Sequence, residues 1–206
     1  YTGLYHALIH PNVLSDVNGE YPAMESAEIR TAEGNRYTVF SLWDTYRNLH
    51  QLMTLVYPER QLEMVRSMIG MYKEWGWLPK WELYGRETFT MEGDPAIPVI
   101  VDTWMKGLRD FDMDAAYEAM RKSATTPGAR NRMRPDIDPY IEKGYVPLGF
   151  YARDLSGDNS VSHALEYYIA DHALSLLADS LGKKDDAALF RARSLGYKNY
   201  YSTESG

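Results

Sequence analysis

Residues 58–76 constrain this chain more than any other stretch. Pro58 suits the first position of a helix, where its missing N–H is not needed, and Leu62, Val65, Ile69 and Tyr72 then recur at three- and four-residue steps until Gly76. Just upstream, Leu42, Tyr46, Leu49, Met53 and Val56 keep the same period across residues 41–56. Two helices joined by so short a link must run antiparallel, which commits the chain to an αα-hairpin.

The same reasoning yields two further pairs. Residues 96–108 are apolar nearly all round, through Ile97, Val99, Ile100, Val101, Trp104 and Met105, which marks a buried helix. Its partner starts at an acidic cap, Asp112 or Asp114, and runs to about Ser123. The last pair spans residues 161–181, closed by Gly182, and 185–200, entered through Lys183 and Lys184. Between the second and third pairs, residues 125–139 carry Pro127, Pro135 and Pro139 with no periodicity, so they read as a long loop. Residues 1–10 read as a short helix stopped by Pro11. In residues 16–40, turns at Asn18-Gly19 and around Gly34 flank the β-forming segments 27–30 and 36–40, which predicts a small β-hairpin near residues 20–40. The step Gly-aromatic-aliphatic-Pro occurs at 76–79 and again at 144–147, as if one turn were used twice. The expected fold is mainly α, a succession of antiparallel αα-hairpins of the kind that form a helical toroid or solenoid.

Composition narrows the function. Lys and Arg total 22 against 29 for Asp and Glu, a net charge of −7, and no basic cluster is dense enough for a row of phosphates, so nucleic acid is not an expected partner. No apolar run approaches the length of a membrane-spanning helix. Cysteine is absent, which removes thiolate metal sites, disulfides and a cysteine nucleophile together. The chain starts at Tyr1 without a Met or a signal-type segment and stops in a small polar stretch, so it reads as a piece of something longer. Its 17 Tyr and 5 Trp stand against 5 Phe; polar-tipped aromatics suit surfaces that stack on sugar rings, and they also suit the seams between helices.

Two clusters could carry chemistry. SLWDTYR at 41–47 puts Trp43, Asp44 and Arg47 on the first turns of a helix, where free backbone N–H groups favour an acidic side chain, so Asp44 is either a helix-start carboxylate or a ligand-binding one. The loop 81–94 holds Glu82, Glu87, Glu92 and Asp94 and leads into the buried helix, so some of these carboxylates should point into a cleft; Asp94, before Pro95, also suits a helix cap. Glycoside hydrolysis needs two carboxyls across a bond, but spacing does not single out a pair. His6 and His10 stand four apart, a metal-type spacing, yet no third ligand accompanies them, and surface or partly buried histidines are the better reading.

Taken in order, SDVNGEY, TAEGNRYTVFSLWDTYR, YPERQLEMVRSMI, GWLPKWELYGRETFTMEGDPAIPVI, KGLRDFD, GYVP, SVSHALEYYIAD and LGKKDDA resemble glycoside hydrolase family 92, the calcium-dependent exo-acting α-mannosidases. The resemblance runs over nearly the whole chain. It implies that residues 1–206 are the N-terminal part of an (α/α)6 toroid catalytic domain, with the remainder of the parent chain missing. It further implies hydrolysis of terminal mannose from glycans with inversion, an α-1,2-type preference, a calcium cofactor, and export to the periplasm, cell surface or exterior. The family's acid motif (E-G-N-x-x-Q-Y), calcium segment and general-base motif (G-N-D-D) are not among these residues; Glu33-Gly34-Asn35 begins like the first but continues Arg36-Tyr37. No catalytic residue and no metal ligand is therefore expected in this chain, and the isolated piece is expected to be inactive. What carries over is sugar binding: Trp43 and Asp44 resemble the contacts to the terminal mannose, and Glu87 and Asp94 fall in the second pocket loop, orienting the pocket or the adjoining sugar. The chain departs from a common family pattern at Arg86, Thr90 and Pro95. The alternative class is a non-catalytic helical module that binds glycan or protein.

Overall fold

A computed structural model describes residues 1–150 and 159–204. It is mainly helical, as expected, and divides into two compact units: residues 1–91 with 102–119, and residues 92–101 with 120–206.

The first unit opens with helix α1 (Thr2–Ala7), followed by five short strands: β1 (Asn12–Val13), β2 (Glu20–Pro22), β3 (Ile29–Thr31), β4 (Tyr37–Thr38) and β5 (Phe40–Ser41). A hairpin does form near residues 20–40, but it pairs the expected segment around Arg30 with residues 20–22 as β2–β3, Tyr21 standing opposite Arg30. The other expected β segment does not join it. Tyr37 and Thr38 pair back to Val13 and Asn12, and β5 pairs forward to β6 (Trp81–Leu83), which continues into β7 (Arg86–Glu87). Strands this short are held by side chains as much as by ladders. Glu74 accepts hydrogen bonds from the Tyr21 hydroxyl (2.8 Å), the Met24 N–H (2.7 Å) and the Arg36 guanidinium (2.8 Å), and the Arg36–Glu74 pair is almost fully buried.

The single helix expected over residues 41–56 is in fact two, α2 (Leu42–Thr45) and α3 (Leu49–Val56). The break is at Asn48, whose φ of −156° leaves the helical region, and the Gln51 side chain reaches back to bond the Tyr46 carbonyl at 2.7 Å. One residue, Tyr57, then leads into α4 (Pro58–Trp75), which ends as predicted at a left-handed Gly76. Its buried face of Leu62, Val65, Met68 and Ile69 packs in the unit's core with Leu42, Leu49 and Met53.

Helix α5 (Ala96–Met105) stops three residues short of the expected end, and α6 (Met113–Thr125) starts where Asp112 accepts the Ala115 N–H at 3.0 Å, the predicted acidic cap. In the second unit the expected loop 125–139 is partly ordered: residues 128–130 form a 3-10 turn, and helix α7 (Ile137–Lys143) begins before Pro139. A proline at the third helical position is tolerated because first-turn N–H groups have no partner to lose. Gly144 ends α7 in the same left-handed conformation as Gly76 ends α4, so the repeated sequence step is a repeated helix stop. The last pair is α8 (Ser160–Ser180) and α9 (Lys184–Ser194), after which residues 195–200 tighten into 3-10 turns in place of the expected continuous helix. Tyr140, Tyr167 and Tyr168 meet at ring separations of 5.4 Å inside this unit, so these tyrosines are seams between helices.

Candidate functional site

Asp44 sits on α2, and α2 is placed by the strand before it. Ser41 pairs with Trp81, and the Leu42 N–H donates to the Lys80 carbonyl at 3.2 Å, so the helix leaves the sheet at a fixed point. Four helical residues cannot stabilise themselves, and the turn depends on what it touches. Leu42 is fully buried beneath it, the Ser41 hydroxyl donates to the Asp44 carboxylate, and the Thr45 hydroxyl donates to the Ser41 carbonyl at 3.2 Å. Asp44 itself is exposed. Trp43 is half-buried, with the Arg47 guanidinium 4.5 Å from its ring centre.

The carboxylate opens on a groove of about 580 Å3 in the first unit, lined by His6, Ala7, His10, Asp44, Thr45, Asn48, Leu49 and Leu52. An apolar floor with a few convergent polar groups, in that range of volumes, is what a small-ligand cleft requires. His6 and His10 thus border the same groove as Asp44. Among the described residues no three His, Cys, Asp or Glu side chains gather as a metal site.

The loop 81–91 is built around two buried glutamates that face protein. Glu82 accepts the Thr38 hydroxyl (2.8 Å), the Val39 N–H (3.0 Å) and the Gly85 N–H (2.6 Å). Burial raises its pKa, and those hydrogen bonds pull it back down without reversing the shift. Glu87 accepts the N–H groups of Lys80 (2.7 Å), Trp81 (3.0 Å) and Phe89 (2.8 Å). Two of these donors, Val39 (φ 61°) and Phe89 (φ 56°), are in the left-handed region that side chains rarely adopt, β-branched valine least of all. The glutamates hold strained backbone in place. The expectation that some of these carboxylates point into a cleft is met by none of Glu82, Glu87 and Asp94, all of which are buried and bonded to protein.

Asp94 belongs to the second unit. Its Oδ2 accepts from Ser123 Oγ (2.6 Å) and Arg134 Nε (2.9 Å), while its carbonyl accepts the Ile97 N–H (3.3 Å) at the start of α5. Arg134 continues to Asp171 (2.8 Å), which also accepts from Tyr140 (2.9 Å) and Arg193 (2.8 Å). Burial works against the Arg134 charge, but the Asp171 and Asp94 carboxylates outweigh it and raise its pKa. Arg134, in the middle of the proline-bearing segment, is therefore a buried tie.

Sequence reasoning passed over His50. Its imidazole is buried, with Nδ1 3.0 Å from Gln61 Oε1 and Nε2 3.0 Å from Thr45 Oγ1, and burial lowers its pKa to about 4. A histidine between Leu49 and Met53 on an apolar helix face was the available signal.

The chain matches the glycosyl hydrolase family 92 catalytic domain over residues 1–206. It belongs to that family. Among solved structures it is similar to a family 92 α-mannosidase of Bacteroides thetaiotaomicron solved with mannoimidazole, at 38% identity and a TM-score of 0.85, covering 96% of this chain and 25% of that one. A family 92 inverting mannosidase from the same organism matches at 31% identity and a TM-score of 0.85, over 98% of this chain and 27% of that one. Among curated proteins, an uncharacterized secreted glycosidase of Arthroderma benhamiae is 30% identical over 142 residues, which is 66% of this chain and 18% of the relative. The chain thus spans about a quarter or less of the length of these relatives.

Proposed function

We propose that this chain is the sugar-binding portion of an exo-acting α-mannosidase, in a protein whose remaining residues complete an (α/α)6 toroid catalytic domain. The observation that carries the reading is Asp44: an exposed carboxylate at a braced helix start, opening on a groove, in a chain of family 92. An ionised acceptor of this kind takes two adjacent hydroxyls of a terminal mannose, and the half-buried face of Trp43 offers an apolar wall beside it. Glu87 contributes by orienting the pocket, which suits its buried position holding loop 81–89, while Asp94 fixes the entry to α5 within the second unit.

Hydrolysis proceeds with inversion, preferentially at α-1,2 linkages, and is carried out by an acid and a base supplied from outside these residues. A calcium ion serves the full-length enzyme in this reading, with its ligands supplied by the rest of the parent chain. Export of the enzyme is supported by the curated relative described as secreted.

Asp44→Asn in the full-length enzyme tests the reading. A charge-assisted hydrogen bond contributes roughly 1.5–3 kcal/mol, so kcat/KM on an α-1,2-linked mannobiose should fall by about tenfold to over a hundredfold with little change in melting temperature. Asparagine still accepts from Ser41 through its amide oxygen, and Ser41, the N-cap of α2, is left in place. Unaltered kinetics would remove Asp44 from the site. Proton NMR of the first anomer released checks the stereochemistry: β-mannose supports inversion, and α-mannose overturns it.

A further inference from the structure

We propose that His50 is a positioning residue for Asp44, acting through Thr45; the inference rests on the reading of Asp44 as a sugar ligand. The four-residue helix α2 is cut off from α3 at Asn48, so helical continuity does not hold it from its C-terminal side. A line of side chains does. The Gln61 amide donates to Thr103 Oγ1 at 2.9 Å, which turns its carbonyl oxygen toward His50 Nδ1 at 3.0 Å, and His50 Nε2 stands 3.0 Å from Thr45 Oγ1. Gln61 lies on α4 and Thr103 on α5, both fully buried, so the far end of the line is anchored in packed helices. With Gln61 presenting an acceptor, the proton of the neutral ring sits on Nδ1, and Nε2 is left as an acceptor that shares the single Thr45 hydroxyl proton with the Ser41 carbonyl.

The near end of the line is the site itself. Thr45 follows Asp44 and lines the same groove, and its hydroxyl also lies 3.2 Å from the carbonyl of Ser41, whose own hydroxyl holds the Asp44 carboxylate. Through these contacts the imidazole sets the rotation of the one turn on which Asp44 stands. An ordinary core histidine would need partners to satisfy its nitrogens; this one links buried residues of α4 and α5 to a residue at the groove wall.

The test uses two variants that replace one ring nitrogen each, in the full-length enzyme. An asparagine amide falls near the position of Nδ1, so His50→Asn keeps the Gln61 side and loses Thr45. A glutamine amide reaches the position of Nε2, so His50→Gln keeps Thr45. We expect His50→Asn to lower kcat/KM by about tenfold, His50→Gln to restore most of it, and the double variant Asp44→Asn/His50→Asn to lose no more than Asp44→Asn alone, because a misplaced ligand matters only while it binds. Thr45→Val, which removes the hydroxyl and keeps the shape, carries the same cycle if His50→Asn does not fold. Losses that multiply in the double variant, or Asn and Gln variants equally impaired in step with melting temperature, would reduce His50 to a packing role. If Asp44→Asn alone leaves kinetics unchanged, the reading of the site fails first and this inference with it.

Discussion

Acidification should weaken this protein through His50, and the size of the effect follows from its surroundings. Burial holds the folded-state pKa at about 4 against an ordinary value of 6.5, with the Gln61 hydrogen bond and the Asp102 charge opposing it. Between those values the unfolded chain binds a proton that the folded chain refuses. Stability from the neutral ring is therefore complete above pH 6.5 and is lost as pH falls toward 4, after which both states are protonated. A difference of about 2.5 units at 1.36 kcal/mol per unit is roughly 3 kcal/mol, an upper range for one buried group. Urea unfolding of the full-length protein and of His50→Gln, at steps from pH 7.5 to 4, isolates the term, since other titrating groups cancel in the difference. The wild-type advantage should shrink by about that amount across the interval. Two curves that stay parallel would mean that the folded protein takes up the proton as readily as the unfolded chain, with His50 in contact with solvent.

Four substitutions probe the rest of the framework. Arg134→Met strands the buried carboxylates of Asp94 and Asp171 and should destabilise by about 3–5 kcal/mol, read by thermal melting; Asp171 keeps Arg193 and Tyr140, so the loss falls mainly on Asp94. Gly76→Ala and Gly144→Ala each force a side chain into the left-handed region and should cost about 1–2 kcal/mol in thermal melts; at Gly144 the new Cβ would also displace the exposed Asn199 side chain, whose Nδ2 lies 2.7 Å away. The N–H groups of Val39 and Gly85 bond different oxygens of Glu82, so Glu82→Gln turns an amide donor toward one of them, and a loss of about 1–3 kcal/mol in denaturant melts is expected; a neutral result would show that this backbone holds without the carboxylate.

The helices were legible because their signals are local. Pro58, the apolar stripe to Tyr72 and the left-handed Gly76 specify α4 almost residue by residue, and Asp112 marks α6 in the same way. Periodicity fails where the chain breaks without changing its pattern: Tyr46, Leu49 and Met53 stay in phase across Asn48, so α2 and α3 read as one helix. Pro135 and Pro139 hid α7 for the opposite reason, since prolines in and before a first turn look the same in sequence as prolines in a loop. Two-residue strands carry no alternation, and β5 finds its partner some 40 positions away. In the site, Asp44 was legible as a carboxylate at a helix start. Glu82 and His50 were not, because their roles lie in partners such as Thr38, 44 residues distant, and Thr45, whose hydroxyl is placed only once α2 has parted from α3.

The pairing of β5 with β6 closes a loop that contains the whole α3–α4 pair, and this makes the length of those helices part of the site. Each residue of an α-helix advances the chain by 1.5 Å and about 100°. One residue added within the 18 of α4 would swing everything after it by more than a quarter turn, and Trp81 would no longer meet Ser41. An insertion far from the groove would thus be felt at Asp44 as a change of heading, whereas the same residue added at the exposed turn around Glu33 would be absorbed on the surface. The domain should therefore tolerate a change of length between β3 and β4, but not one within α4.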